Sequence, residues 1–185
     1  LVRAIEAAPP RSLAARLMAS EAEGDIAPED QIAHWLFAAD AVAIAGFRCL
    51  ALLASNPEAM AAARAESERG EAARPFLRAA LCEALRLWPT TPLILRRAKK
   101  ALTTANGAIP AGAEVIVFAP LLHRDPGDAN ADCFAPELWS GGEGPWPYVP
   151  FSAGPAGCPA RHLVPMLGGA FLAGLLRCAD LRLAD

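Results

Sequence analysis

Between residues 32 and 54 the chain carries only His34, Asp40 and Arg48 among otherwise apolar residues, with no proline to interrupt them. A helical run of this kind is long enough to reach across a bilayer, which takes about 20 apolar residues. Charges near the middle of such a span would each cost about 2.5–3.5 kcal/mol, so Asp40 and Arg48 point to a buried helix of a soluble protein and not to a membrane span. Pro28, Glu29 and Asp30 place a proline and two acids in the first turn of this helix, and Asn56-Pro57 stops it near Ser55.

The rest of the sequence is punctuated in the same way. Pro9-Pro10 separates a first short helix from a second over 13–22, Pro57 opens a helix through 65, and a polar link follows over 66–73. From 76 to 87 the residues Leu77, Ala80, Leu81, Ala84, Leu85 and Trp88 share one helical face, closed by Pro89. Strand signals occupy 92–98 and 115–118, with turns at Asn106-Gly107 and at 110–112 between them, which predicts a small sheet. Residues 124–157 hold much of the proline and glycine without periodicity, a stretch too long for an ordinary connector and therefore functional or disordered. A strongly apolar helix is expected again over 159–178. The fold class is mainly α with a small β-sheet (α+β), and 54% apolar residues over 185 suit a single domain, 1–185, with one core.

A net charge of −3 implies neither a nucleic-acid surface nor a polybasic membrane anchor. Cysteines 49, 82, 133, 158 and 178 form an odd set without a CxxC pair, against a disulfide framework or a structural zinc site and in favour of a reducing, cytoplasmic compartment. The chain opens on Leu1 without a charged leader or cleavage signal, so no targeting segment is expected and a true N-terminus upstream is. Trp35, Trp88, Trp139 and Trp146 read as packing residues, with no interleaved basic stripe for stacked bases.

Chemistry concentrates in residues 150–160, PFSAGPAGCPA, where Cys158 stands directly before Pro159. If Pro159 opens the following helix, free N–H groups and the helix dipole would stabilise a thiolate at Cys158, and Gly154 and Gly157 would let the backbone approach a flat ligand. Thiolate ligation pushes electron density onto haem iron and favours O–O cleavage, so such a loop suits oxygen activation. His162, four residues on and on the same helix face, would make only a two-ligand metal pair with Cys158, and His34 and His123 read as satisfied structural histidines. At i,i+3, Glu83 and Arg86 could be a surface pair worth about 0.2–0.5 kcal/mol, but the edge of an apolar helix favours a desolvated, hydrogen-bonded pair.

The run Phe151-x-x-Gly154-x-x-x-Cys158-x-Ala160 resembles the haem-binding loop of cytochrome P450 enzymes. Glu83-Ala84-Leu85-Arg86 resembles that family's Glu-x-x-Arg helix, 134–139 (FAPELW) its loop motif before the cysteine, and Asp40 falls where its oxygen-groove helix carries an acid. The likeness runs from Pro28 to Cys178, the C-terminal half of the fold of a soluble, bacterial-type member, with the N-terminal half and a short C-terminal β tail missing. It implies haem b ligated by Cys158, with Phe151 and Gly154 shaping the loop, Arg96 on a propionate, Glu83 and Arg86 clamping the loop, and Asp40 assisting proton delivery. It further implies insertion of one oxygen atom from O2 into a small apolar organic substrate, with electrons from a ferredoxin or flavin-type donor. The sequence departs from the family pattern at three places: Leu138 stands where the clamp normally gains an Arg, Ala156 where many members hold a propionate, and Ala41 where a Thr steers protons. Ala41 opens the alternative of a peroxide-using enzyme, and the short length that of a catalytically silent fragment or haem-binding remnant. A small helical interaction protein without haem would leave the cysteine loop unexplained.

Overall fold

Capping and proline placement set the helix boundaries in the computed structural model, which describes residues 7–20, 27, 30–142 and 144–183. The chain divides into two units, Leu1–Val42 and Ala43–Asp185. In the first, the Ser12 hydroxyl accepts from the Ala15 N–H at 3.1 Å and caps α1 (Leu13–Met18), which is shorter than the expected 13–22 and buries none of its residues. The first expected helix, the end of the second and the start signal at Pro28-Glu29 lie wholly or partly outside the described residues.

Helix α2 (Asp30–Ser55) ends where Asn56-Pro57 predicts. It is not the buried helix expected from its composition: a third of its most apolar window is buried, and by length and composition it remains able to cross a membrane. In the first unit Leu36, Phe37 and Asp40 are exposed, and in the second Ile44 and Phe47 are, while Ala45, Cys49 and Leu53 form a fully buried stripe at helical spacing. Because every face of α2 is apolar, its sequence did not distinguish the face that finds partners. Arg48, the charge in its second half, donates to the Trp88 carbonyl at 2.7 Å and so reaches the carbonyl end of another helix.

That helix, α4 (Pro75–Leu87), is the centre of the second unit: Leu77 and every residue from Ala79 to Leu87 are buried. It packs against α3 (Pro57–Arg69), the C-terminal helix α6 (Leu163–Cys178) and a 3-10 turn at Pro136–Trp139. Gly168 permits the α4–α6 approach, since a Cβ there would fall 2.3 Å from Leu81 Cδ2. Helix α3 runs four residues past the expected 65 to a left-handed Gly70, because its polar end is buried and bonded, not a link. Ser67 Oγ donates to the Ala63 carbonyl at 2.7 Å, and the Glu66 carboxylate accepts the N–H groups of Phe76 and Leu77, each at 2.9 Å. Glu66 therefore caps the first turn of α4 from another helix, in place of the acid that turn lacks.

The strand signals sort into two antiparallel ladders and not one sheet. β1 (Leu93–Arg97) pairs with β4 (Glu114–Phe118) in the register Leu93↔Phe118 to Arg97↔Glu114, and β2 (Leu102–Thr104) pairs with β3 (Gly107–Ile109) across the Asn106-Gly107 turn. A short helix that the sequence reading missed, α5 (Ala119–His123), follows β4 with Pro120 in its first turn. The described residues of 124–157 are irregular apart from 3-10 turns at Pro136–Trp139 and Gly154–Ala156.

Replacing Glu66 with Ala strands two N–H groups at the buried start of α4. We expect a loss of about 2 kcal/mol in urea unfolding, and about half that for Glu66→Gln, which keeps one acceptor oxygen.

Candidate functional site

The last turn of α4 carries Glu83 and Arg86, and both side chains are completely buried. Arg86 Nε and Nη2 meet the two oxygens of Glu83 at 2.8 and 2.6 Å, the paired geometry a planar guanidinium offers a carboxylate. The rest of the guanidinium donates to carbonyls of the irregular segment: His123 at 2.6 Å, Ala131 at 3.2 Å, and Asn130 and Cys133 at 2.8 Å. Each Glu83 oxygen accepts once more, from the Ala135 N–H at 2.9 Å and from Trp139 Nε1–H at 2.8 Å. Burial alone would lower the Arg86 pKa, but hydrogen bonding to Glu83 and its charge outweigh burial and hold it above its ordinary value. The indole of Trp139 thus serves Glu83 next to Leu138, where the resemblance led one to expect an arginine. Leu138 instead packs on an apolar cluster of Ala79, Cys82, Trp139 and Tyr148.

Three further residues that sequence reasoning did not assign to the site complete this arrangement. Tyr148 lays its ring 5.0 Å from the Arg86 guanidinium carbon and donates its hydroxyl to Asp128. Its pKa is pushed up to about 12, first by burial and then by the hydrogen bond to Asp128. His123 is fully buried and uses both ring nitrogens, Nδ1 on the Arg86 carbonyl at 3.1 Å and Nε2 on the Val149 N–H at 2.9 Å. A backbone N–H can only donate and a carbonyl only accept, so the ring is the neutral Nδ1–H tautomer. Burial, reinforced by the Arg86 charge, keeps the His123 pKa below its ordinary value against the opposing pull of the Arg86 carbonyl and Glu83. The one sequence signal for this group was that a histidine, a tyrosine and an indole, each with a polar atom to satisfy, stand at the start of or within an irregular segment.

Beyond Val149 the chain turns into the cysteine loop. The Val149 carbonyl accepts the Ser152 N–H at 2.9 Å, and the Phe151 carbonyl accepts the Cys158 N–H at 2.8 Å, while the half-buried Phe151 side chain packs on the Trp139–Tyr148 cluster. Gly154 has φ 71, and no atom lies within 4 Å of where its Cβ would be, so its requirement is conformational. Ser152 also has positive φ, at 60, and its hydroxyl accepts from Arg96 Nη2 at 2.7 Å, which brings Arg96 on β1 to the loop. The following helix begins at Leu163 and not at Pro159. Pro159 fixes its own φ, but the carbonyl of Cys158 is taken three residues on, by Arg161 at 3.3 Å, and the four-residue ladder starts only with Val164 on Ala160 at 2.8 Å. The helix-dipole argument for Cys158 therefore does not hold, and Cys158 and His162 do not share a helix face. Asp40 belongs to the first unit and is exposed, so the burial on which its reading rested is absent.

Among the cysteines, Cys49 and Cys82 are buried and pushed up to about 12 chiefly by that burial, as inert core thiols are. Cys158 is half-buried, and among the described residues nothing hydrogen-bonds to its sulfur. No group of three or more His, Cys, Asp or Glu that could hold a metal ion occurs among the described residues. A single sulfur donor of this kind fits a metal that brings its other ligands with it, as haem iron does, and Arg96 stands exposed beside the loop for an anionic edge of such a group. A cavity of about 240 Å³ underlies the loop, lined by Cys82, Trp139, Tyr148, Phe151 and Arg161, but Cys158 does not line it.

Comparison with known proteins matches residues 31–183 to the sequence model of the family "Cytochrome P450". The chain is 36% identical to cytochrome P450 76M5 of Oryza sativa subsp. japonica over 74% of its length and 31% of that protein's. It is 34% identical to drimenol monooxygenase of Persicaria hydropiper, over 72% and 30%. It is 32% identical to cytochrome P450 4V2 of Homo sapiens, over 69% and 28%. The structure resembles a crystal structure of a cytochrome P450 (CYP102L1) with TM-score 0.69 and 29% identity, covering 80% of this chain and 38% of that one. The chain spans about a third of the length of the relatives it matches.

Arg86→Ala would leave Glu83 charged, buried and without its partner. We expect it to lose about 3–5 kcal/mol in chemical denaturation, whereas a loss of about 0.5 kcal/mol, that of an exposed helix pair, would refute the clamp. His123 gives a pH signature. Its folded pKa lies below the unfolded value of about 6.5, so its stabilisation is complete above that pH and is lost as pH falls through the lower folded value. The stability difference between wild type and His123→Phe should accordingly shrink as pH falls below about 6.5.

Proposed function

The chain belongs to the cytochrome P450 family, and on that premise we propose that it serves as the haem-thiolate portion of a monooxygenase that inserts one oxygen atom from O2 into a small apolar organic substrate. The observation that carries this reading is the half-buried Cys158, its N–H held by the Phe151 carbonyl at the end of a loop whose first residue, Val149, donates to His123 beside the Glu83–Arg86 pair. Haem b, when bound through Cys158, supplies the electron-rich iron at which dioxygen is activated. Phe151 and Gly154 would shape the loop around the ligand, and Arg96, turned to Ser152 beside the loop, would hold a propionate. Glu83 and Arg86 keep the loop's foundation from shifting.

Asp40 is proposed as the proton-relaying group of α2, since Ala41 beside it can neither donate a proton nor hold a donating water. That same Ala41 favours a second reading in which peroxide, arriving with its own protons and electrons, is the oxygen source. Electrons for the dioxygen reaction come from a ferredoxin or flavin-type donor. A cytoplasmic, water-soluble setting is part of the proposal, supported by Asp40 and by Arg48, whose guanidinium is committed to the Trp88 carbonyl.

Haem-loaded, reduced protein under carbon monoxide should show the red-shifted Soret band of thiolate ligation, and Cys158→Ser should lose it. Identical spectra for the two proteins would remove Cys158 as the ligand.

A further inference from the structure

A continuous series of hydrogen bonds leads from the buried clamp to the cysteine, and one side chain links its two halves. The Arg86 carbonyl accepts from His123 Nδ1–H at 3.1 Å, and His123 Nε2 accepts the Val149 N–H at 2.9 Å. The Val149 carbonyl takes the Ser152 N–H at 2.9 Å and so closes the turn that contains Phe151, whose carbonyl takes the Cys158 N–H at 2.8 Å. In return Arg86 Nη1 donates to the His123 carbonyl at 2.6 Å, so each residue's side chain holds the other's backbone.

We propose that His123 is a positioning residue for the cysteine loop: it fixes residues 149–158 against the end of α4 and thereby sets where the Cys158 sulfur stands. The second clause rests on the reading of Cys158 as the haem ligand, and the first does not. The chemistry requires a histidine for a specific reason. Only a neutral imidazole presents a donor and an acceptor at separate edges of one rigid ring, so it can serve a carbonyl on one side and an N–H on the other with no rotamer freedom between them. The other anchors of the loop act at other atoms: Arg96 reaches the Ser152 hydroxyl, and Tyr148 is held through its hydroxyl on Asp128 and its ring beside Arg86, so neither touches the Val149 N–H. The groups facing the ring are Arg86 and Glu83 from α4 and Tyr148, edge-on at 6.2 Å, backed by Asp128. They supply one buried positive and one buried negative charge in contact, and a second proton on His123 would both break the Val149 bond and set a new cation beside Arg86.

The test uses the whole chain and compares His123→Phe, His123→Asn and His123→Gln with wild type and with Glu66→Ala, which weakens the other end of α4 without touching the loop. Asn places its amide where Nδ1 lies and keeps only the Arg86 bond, whereas Gln reaches the position of Nε2 and keeps an acceptor for Val149. The first readout is amide hydrogen exchange in the haem-free chain. His123→Phe and His123→Asn should speed exchange at Val149, Ser152 and Cys158 by about tenfold or more, and His123→Gln by distinctly less. Glu66→Ala should speed exchange at Phe76 and Leu77 and leave 149–158 unchanged. The second readout is the carbon monoxide spectrum of haem-loaded protein, in which His123→Phe and His123→Asn should lose the thiolate-type band that Glu66→Ala retains.

Unchanged loop exchange in His123→Phe and His123→Asn would overturn the proposal, as would equal acceleration by Glu66→Ala. If wild type itself lacks the thiolate band while the exchange pattern holds, the haem reading and the clause that rests on it fall and the loop-positioning role stands. If wild type shows the band and the histidine variants keep it with unchanged exchange, His123 has no positioning role and the haem reading is untouched.

Discussion

A carboxylate and a guanidinium taken out of water together lose several kcal/mol each in solvation, and the Glu83–Arg86 pair recovers this only because no polar edge of either is left unbonded. Both Glu83 oxygens accept twice, and the guanidinium, after its two bonds to Glu83, is spent on four backbone carbonyls between His123 and Cys133. The second fact matters more for architecture than the first. The described residues of 124–157 have short turns but no regular ladder of their own, and where their backbone runs under the surface, as around Ala131 and Ala135, its polar groups must find partners. Arg86 is the donor for the first part of the segment, and the bonds from Ala135 and Trp139 to Glu83 hold the next part. The irregular stretch is thus folded around a charge pair, much as a helix is folded around its own hydrogen bonds.

The same logic passes to the cysteine loop through neutral groups. His123 and Tyr148 meet the clamp on one side and the start of the loop on the other, so the loop inherits its position from α4 without a covalent or charged link. Helix α4 is in turn fixed at its opposite end by Glu66 of α3 and by the close passage of α6 at Gly168. Cys158 consequently sits at the end of a connected series of contacts while remaining only half-buried, a combination that Cys49 and Cys82, sealed in the core, do not have.

Helix α4, the Asn106-Gly107 hairpin and the end of α2 at Asn56-Pro57 were all legible in the sequence, because each rests on local chemistry: an apolar stripe, a turn pair, a breaker. The cysteine loop and the Glu83/Arg86 spacing were legible too, as local motifs. What the sequence did not disclose depends on partners distant along the chain. The apolar composition of α2 could not say that Phe37 and Phe47 would be exposed while Cys49 and Leu53 are buried. The polar composition of 66–69 suggested a link, although Glu66 and Ser67 are buried in the last turn of α3, satisfied across ten and eleven residues and within one turn respectively. Pro159 looked like a helix start, and local φ preference was right about that residue but silent on where the carbonyl ladder begins.

The replacement of an expected arginine by Leu138 followed by Trp139 fits this picture through its charge. Glu83 and Arg86 already balance, and a second buried guanidinium would leave one positive charge without a counterion unless another acid entered. An indole N–H satisfies the same carboxylate oxygen and adds no charge, and its ring buries apolar surface against Tyr148 in the process. The surrounding groups follow the same rule. His123 is kept neutral, Tyr148 keeps its proton with a pKa of about 12, and the further acid, Asp128, stands at the rim where Tyr148 reaches out to it. A single balanced pair with only neutral donors and acceptors directly around it forms the fully buried ionic clamp, while Arg96 stands apart from it at the exposed face of the cysteine loop.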